Sequence, residues 1–367
     1  MRLLRRTTSQ VVAVAAIVAT AITTTAAAAS PRSDTRSPSA RQSEIYSWAI
    51  TPTGTDEEFR GLAAVSKQVA WVAGEDGSVL LTRNGGKSWR DVSPAQADGL
   101  ALRDIEAKNS RRAVALSIGT GEDSRIYATR DGGRTWSETF RNSDPSAFYD
   151  CMAFTPNGDG LALSDPVDGY FQLARSSDFG LSWRVQSTVG MPEAVPGEFA
   201  FAASGTCLVA GKHGQFWFVT GGIDVPRIFS SNDGGRSWSV SEVPLRGGPS
   251  AGIYSVDFAS PEQGVIVGGD YADENNGADA SAYLAPSSDV WRVSTSPVLG
   301  YRSGVSFVPH AKDTAIAVGP TGSDVSYDGG KTWSNFDDDR YDGIQCSRGG
   351  FCWASGTEGR VAKLVER

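Results

Sequence analysis

The segment TRDGGRTW at residues 129–136 decides the fold, because close copies of it recur along the chain. The intact copies are TRNGGKSW (82–89), SSDFGLSW (176–183), SNDGGRSW (231–238) and SYDGGKTW (326–333), and SSDVW (287–291) is a degraded copy without the glycine. Their tryptophans stand at 89, 136, 183, 238, 291 and 333, so successive copies are 47, 47, 55, 53 and 42 residues apart. Periods of this size, each holding several short strands, are typical of a β-propeller.

Apolar runs and turn residues divide each repeat into four short strands. In the first repeat these are residues 59–66, 69–74, 78–83 and 88–93, from the innermost strand to the outermost. The innermost strands of the later repeats begin near Leu102, Phe148, Glu198, Ile253, Tyr301 and Tyr341, which gives seven repeats. We therefore predict an all-β protein with one seven-bladed β-propeller of four-stranded blades at residues 44–367.

The last repeat ends one strand short, and we expect the missing strand at the other end of the folded part. Residues 44–52 place Trp48 ahead of a proline, much as the first repeat places Trp89 ahead of Pro94. In this prediction an N-terminal strand containing Trp48 completes the last blade. It closes the ring and covers two strand edges that would otherwise favour aggregation.

Residues 1–29 have the pattern of a secretory signal, with arginines before an apolar run and small residues up to Ala29, where we expect cleavage. Arg5 and Arg6 leave both the general secretory route and the twin-arginine route open. Residues 30–43 are rich in Ser, Pro and Arg, which predicts a disordered linker. The sequence thus predicts a secreted or extracytoplasmic protein whose mature form has no integral membrane segment.

The mature chain is acidic. The whole sequence has 34 basic and 42 acidic residues, and loss of the three arginines in the signal leaves 31 basic residues and a net charge of −11. Nucleic-acid binding needs a basic surface that neutralises phosphates, so we expect no nucleic-acid partner. We expect a monomer that binds a protein or a carbohydrate.

The repeated motif resembles the Asp-box repeat of bacterial neuraminidases. The sequence pattern of the whole repeat at residues 59–89 is more similar to the propellers of the photosystem II stability/assembly factor family and its bacterial relatives. This resemblance covers residues 44–367. It implies that the motif occupies the turn between the third and fourth strands of a blade. A structural role is expected for the polar residue of each copy, which can accept backbone hydrogen bonds of the turn: Asn84, Asp131, Asp178, Asp233 and Asp328.

The rim opposite these turns is the expected ligand site. Arg60, Arg103 and Arg302 begin innermost strands of blades one, two and six, and a guanidinium suits a carboxylate or phosphate. We expect Asp150, Glu198 and Asp270 to join them in ligand binding. The alternative is that each arginine pairs with a neighbouring acid, such as Asp104, Asp150 or Asp342, and holds blades together.

These features predict an exported, non-enzymatic binding or assembly module that holds an anionic protein segment or a carbohydrate. The more distant resemblance to sialidases implies the alternative of a glycoside hydrolase acting on an anionic sugar. Its catalytic candidates would be Tyr149, Tyr254, Asp165, Asp168 and His213, the last placed by this parsing on the same rim. Whether the chain is an enzyme stays open at this stage.

Relatives of this type are often labelled oxidoreductases, but the chain has no dinucleotide-binding glycine motif, no Cys-x-x-Cys and no haem-attachment motif. We therefore predict no cofactor, and no metal site, since the acidic residues at 270–279 lack the spacing of an EF-hand. Cys346 and Cys352 flank a short turn, which predicts a cross-strand disulfide. Cys151 and Cys207 lie in adjacent blades and are either bridged or buried as free thiols.

Overall fold

The structure is a computed structural model that describes residues 45–285 and 288–366. The predicted signal peptide and linker lie outside the described residues. The described part forms seven four-stranded antiparallel sheets, and its helical content is two short 3-10 turns at Ala95–Ala97 and Gly121–Asp123. The predicted fold class, an all-β seven-bladed propeller, is therefore confirmed.

The first four blades follow one another along the chain, each written here from its innermost strand outward. Blade one contains β2 (Phe59–Ala64), β3 (Ala70–Gly74), β4 (Val79–Thr82) and β5 (Arg90–Asp91). Blade two contains β6 (Leu102–Ala107), β7 (Ala113–Ser117), β8 (Arg125–Thr129) and β9 (Ser137–Arg141). Blade three contains β10 (Tyr149–Phe154), β11 (Gly160–Val167), β12 (Tyr170–Ser176) and β13 (Arg184–Val185), and blade four contains β14 (Leu208–Ala210), β15 (Phe216–Val219), β16 (Arg227–Ser231) and β17 (Ser239–Glu242).

The last three blades complete the ring. Blade five contains β18 (Ala251–Ser260), β19 (Gln263–Asp270), β20 (Ser281–Leu284) and β21 (Trp291–Val293), and blade six contains β22 (Gly304–Phe307), β23 (Ala315–Gly319), β24 (Gly322–Ser326) and β25 (Ser334–Asp337). Blade seven contains β26 (Gly343–Cys346), β27 (Cys352–Ser355), β28 (Val361–Glu366) and β1 (Tyr46–Ile50). The innermost strands contact one another in this order, and β26 returns to β2.

Sequence composition explains the order of strands within a blade. The second strands, such as AWVAG of β3 and AVALS of β7, are buried throughout, because neighbouring blades cover both of their faces. Such strands are apolar without alternation. The outermost strands β5 and β17 are short, polar and largely exposed, as edge strands commonly are.

The predicted ring closure is confirmed. Strand β1 pairs antiparallel with β28 over five residues, with Trp48 opposite Leu364. The Trp48 indole Nε1 donates a hydrogen bond of 2.9 Å to Ser323 Oγ of blade six, and its ring packs 5.2 Å from that of Tyr341. The N-terminal strand thus closes the sheet of blade seven and also joins that blade to its neighbour.

Each repeated motif forms the turn between the third and fourth strands of its blade. In blade two, Asp131 Oδ1 accepts the Thr135 N–H at 3.0 Å, and Thr135 Oγ1 donates to Oδ2 at 2.7 Å. These two hydrogen bonds lower the pKa of Asp131 to about 2. Gly133 has a φ of 75°, a conformation that glycine adopts without strain. The Trp136 Nε1 donates to the Val92 carbonyl of blade one at 2.6 Å, so the motif also joins blades.

The same turn hydrogen bonds occur in the other copies. The acceptors of the backbone N–H four residues on are Asn84, Asp178, Asp233 and Asp328, at 2.9–3.0 Å. We name the rim formed by these turns, and by the turns between first and second strands, the motif face. The other rim is the opposite face.

Two disulfides are present. Cys346 and Cys352 are directly paired residues of β26 and β27, where the sequence predicted a bridge. The second disulfide joins Cys151 in the innermost strand of blade three to Cys207, just before the innermost strand of blade four. The pairing that the sequence left open therefore links two adjacent blades.

The closing strand gives a stability prediction. We expect Trp48→Ala to lower the free energy of unfolding by about 3–5 kcal/mol, because it removes a large buried ring between blades six and seven. Urea denaturation followed by circular dichroism measures the change. Ile50→Ala in the same strand is the control, since Ile50 is 50% exposed and should change stability by less than about 0.5 kcal/mol. Equal effects of the two substitutions would contradict the closing role.

Candidate functional site

Blade four departs from the predicted parsing. Its innermost strand was expected from Glu198, but it begins at Leu208, about ten residues later. Phe199 forms only an isolated bridge with Gly221, and the chain then leaves the sheet. We name residues 200–206 the crossing segment, because they run into the central channel instead of along its wall.

The crossing segment contacts the inner parts of five other blades. Its hydrogen bonds run from Ala200 N–H to Asp165 Oδ1 (2.9 Å), from Arg103 Nη1 to the Ala202 carbonyl (3.0 Å), from Arg60 Nη1 to the Ala203 carbonyl (3.4 Å), from Ser204 Oγ to the Ser303 carbonyl (2.7 Å), and between the hydroxyls of Thr206 and Ser255 (2.7 Å). The segment therefore spans the channel and separates its mouth on the motif face from its mouth on the opposite face.

Arg60 and Arg103 come together on the opposite face, as the sequence predicted, but both are already paired. Arg60 lies 2.6 Å from Glu58 and 3.3 Å from Asp342, and Arg103 lies 2.7 Å from Glu75, which also contacts Arg60. Burial lowers the pKa of Arg60, but the carboxylates outweigh it, Asp342 first, so the net shift is upward. The pair joins blades seven, one and two and holds the crossing segment. For these two arginines the structure thus matches the alternative given by the sequence, in which each arginine pairs with a neighbouring acid and holds blades together.

Arg302 does not belong to this group, which corrects the expected arc of three arginines. Its side chain is 0% exposed, and Nε donates to Asp324 Oδ2 at 2.6 Å within blade six. Nη1 donates to Thr321 Oγ1, also at 2.6 Å. A guanidinium enclosed in this way cannot reach a ligand on the rim.

The three expected acidic ligand residues also make internal contacts. Glu198 is buried against Arg227 and accepts the Thr220 hydroxyl at 2.6 Å. Asp270 accepts the Ser250 hydroxyl at 2.7 Å. Asp150 is buried, and burial followed by the nearby charge of Asp165 raises its pKa well above the ordinary value.

The candidate catalytic residues are dispersed. Tyr149 is 1% exposed, and Tyr254 is 2% exposed with its hydroxyl donating to the Ser250 carbonyl at 2.7 Å. Burial raises the pKa of both phenols, which makes them poorer nucleophiles. Asp165 holds the crossing segment, and Asp168 lies in the exposed turn between β11 and β12. The structure does not bring these groups together around a common substrate position.

His213 lies on the motif face, not on the opposite face as the sequence parsing placed it. The late start of β14 makes residues 211–215 the turn between the first and second strands, and the Gly234 N–H of the motif turn donates to the Gly214 carbonyl at 2.8 Å. His310 occupies the corresponding turn of blade six. The two histidines of the chain therefore line one cavity.

This cavity is the motif-face mouth of the channel and has a volume of about 1490 Å³. Gly205 and Thr206 of the crossing segment form part of its inner end. Phe154, Trp217 and Phe258 line its wall, and the last two rings stack with centroids 4.2 Å apart. Its concave shape and aromatic wall, together with polar lining groups such as His310 and Gln345, are features of a ligand site.

Three cations with exposed side chains stand around this mouth: Lys212 in blade four, Lys312 in blade six and Arg348 in blade seven. None of them forms an ion pair with another residue of the described ranges. Sequence reasoning missed this cavity because it placed β14 too early. The 55-residue step between Trp183 and Trp238, eight more than the preceding step, was the available signal of an inserted segment.

The carboxylates that line the cavity are engaged elsewhere. Asp257 accepts the N–H groups of Phe307 (2.7 Å) and Phe258 (2.8 Å), and burial raises its pKa to about 6. Asp313 accepts the Gln263 amide at 2.8 Å. Burial, then the nearby charge of Asp104, raises the pKa of Glu106 well above its ordinary value.

The described residues contain no group of three or more His, Cys, Asp or Glu side chains placed to hold a metal ion. Among them we also find no helix with the length and apolar character needed to cross a membrane.

Comparison with solved structures gives the same fold. A structure described as YCF48 bound to D1 peptide superposes with a TM-score of 0.61 at 15% identity, covering 87% of this chain and 95% of that one. YCF48 from Cyanidioschyzon merolae gives 0.59 at 16%, covering 87% and 98%. The GH74 xyloglucanase from Xanthomonas campestris gives 0.59 at 15%, covering 86% of this chain and 53% of that one. No family model matches the chain, and no curated protein matches it.

Buried carboxyls beside the crossing segment give a prediction for pH. Burial raises the pKa of Asp165 to about 7, against about 3.9 in an unfolded chain. The folded state therefore binds more protons than the unfolded state between these values, and stability falls as pH rises through them. We expect Asp165→Asn, which keeps an acceptor for the Ala200 N–H, to reduce this loss between about pH 5 and pH 8.

Urea midpoints measured across this range provide the test, with Asp168→Asn in the exposed turn as the matched control. A pH dependence of Asp165→Asn equal to that of the wild type would show that this carboxyl does not hold its proton in the folded protein.

Proposed function

We propose that the protein is a non-enzymatic binding module that holds a protein segment in the cavity on the motif face. The observation that carries this proposal is the contrast between the two mouths of the channel. On the opposite face the arginines are already paired and occupied by the chain's own backbone. On the motif face a large open cavity combines aromatic walls with exposed, unpaired cations.

The positions of the candidate catalytic groups support a binding role over hydrolysis. A glycosidase needs a nucleophile and a proton donor on the two sides of one bond. Here the two tyrosines are buried in blades three and five, and Asp165 is hydrogen-bonded to the backbone of the crossing segment. YCF48, which shares the fold, is bound to a D1 peptide in its structure, so a propeller of this shape can accommodate a peptide.

We also propose that the protein acts outside the cytoplasm. The support is the secretory pattern of residues 1–29 together with the two disulfides, which persist mainly in oxidising compartments. An exported propeller with a peptide-sized cavity would serve to hold or assemble other envelope or secreted proteins.

The test is selection of random linear peptides, displayed on phage, against the purified mature protein. We expect selected peptides to lose about tenfold or more in affinity for Ala259→Trp, because Ala259 is exposed and lines the cavity. Ala272→Trp, on an exposed loop of the opposite face, is the matched control and should bind as the wild type does. Failure to select any peptide that distinguishes the two variants would contradict the proposal.

A further inference from the structure

Ion pairs are distributed unequally between the two faces of the propeller. Within residues 45–285 and 288–366, the ion pairs lie toward the opposite face, where Arg60, Arg227, Arg246 and Arg360 each have carboxylate partners. The cations of the motif turns have none within that part of the chain. An arginine that already forms an ion pair is less available to an anionic ligand. The cations without a carboxylate partner are therefore concentrated on the motif face.

Three of these available cations surround the cavity. Lys212, Lys312 and Arg348 project from the turns between the first and second strands of blades four, six and seven. The ring of innermost strands fixes the positions of these turns around one opening. The nearby carboxylates Asp257 and Asp313 accept hydrogen bonds from uncharged donors, and among the described residues they form no ion pair with the three cations.

We infer that the cavity binds an acidic protein segment, whose carboxylates pair with Lys212, Lys312 and Arg348 while an apolar side chain packs against Phe154 and Phe258. This inference rests on the proposed function and adds the chemical class of the ligand. It also corrects the sequence expectation, which placed anion recognition on the opposite face.

The volume of about 1490 Å³ exceeds the range of about 300–1,000 Å³ that small-molecule sites occupy, which favours a polymer segment over a small molecule. Wall chemistry favours a protein segment over an anionic polysaccharide. The half-buried rings of Phe154 and Phe258 offer apolar area, which a segment with Leu or Phe side chains covers and a polysulfated chain does not.

The experiment uses the same selection of displayed random peptides and reads their composition. We expect the peptides selected on the wild-type protein to be enriched in Asp and Glu together with aromatic or aliphatic residues. Their affinity should fall about tenfold or more in the triple variant Lys212→Gln, Lys312→Gln, Arg348→Gln, and the loss should shrink at high salt. Thermal unfolding confirms that the exposed substitutions leave the fold intact.

The matched control is the triple variant Lys87→Gln, Arg130→Gln, Arg134→Gln, which removes the same charge from motif turns of blades one and two, away from the cavity. It should change affinity by less than about threefold. Peptides that depend on Ala259 but show no acidic preference would overturn the inference and leave the proposed function standing. No selectable peptide would overturn both, and binding of dextran sulfate alone, with the same dependence on the three cations, would assign the cavity to a polysaccharide.

Discussion

The pairing of β1 with β28 is the constraint on which the rest of the structure depends. It joins two strands separated by more than 300 residues, and it covers the outer edge of β28. Once the ring is closed, every first-to-second turn lies on the same rim as the motif turns. Residues far apart in sequence, such as Lys212 and Arg348, then surround one opening because seven equivalent blades repeat the same geometry.

The crossing segment turns this symmetric ring into a molecule with two different ends. It is anchored on one side by the disulfide between Cys151 and Cys207 and on the other by the hydrogen bond from Ala200 to Asp165. Between these points its backbone carbonyls accept hydrogen bonds from Arg60 and Arg103, the two arginines that a ligand could otherwise use. One insertion in blade four thus determines which mouth of the channel remains open and which charges remain free.

Repetition explains what the sequence could predict. The recurring strand pattern predicted the blade number, and five near-identical motifs predicted the turn positions and the role of residues such as Asp131, because these depend on contacts within one hairpin. The site depends on long-range placement instead. The path of residues 200–206 depends on hydrogen bonds to five other blades, and Arg302 pairs with Asp324 of its own blade; no local pattern records either contact. The correct disulfide at Cys346 is again a contact across a single turn.

The motif face has a carboxylate in most of its motif turns, and hydrogen bonds hold these carboxylates within their own turns. The motif aspartates each accept a backbone N–H and a hydroxyl from their own turn, so their charge is held close to the backbone and partly compensated there. Lysine and arginine have long side chains that carry their charge away from the surface. The carboxylates therefore act within the turns, whereas Lys212, Lys312 and Arg348 around the cavity have exposed side chains.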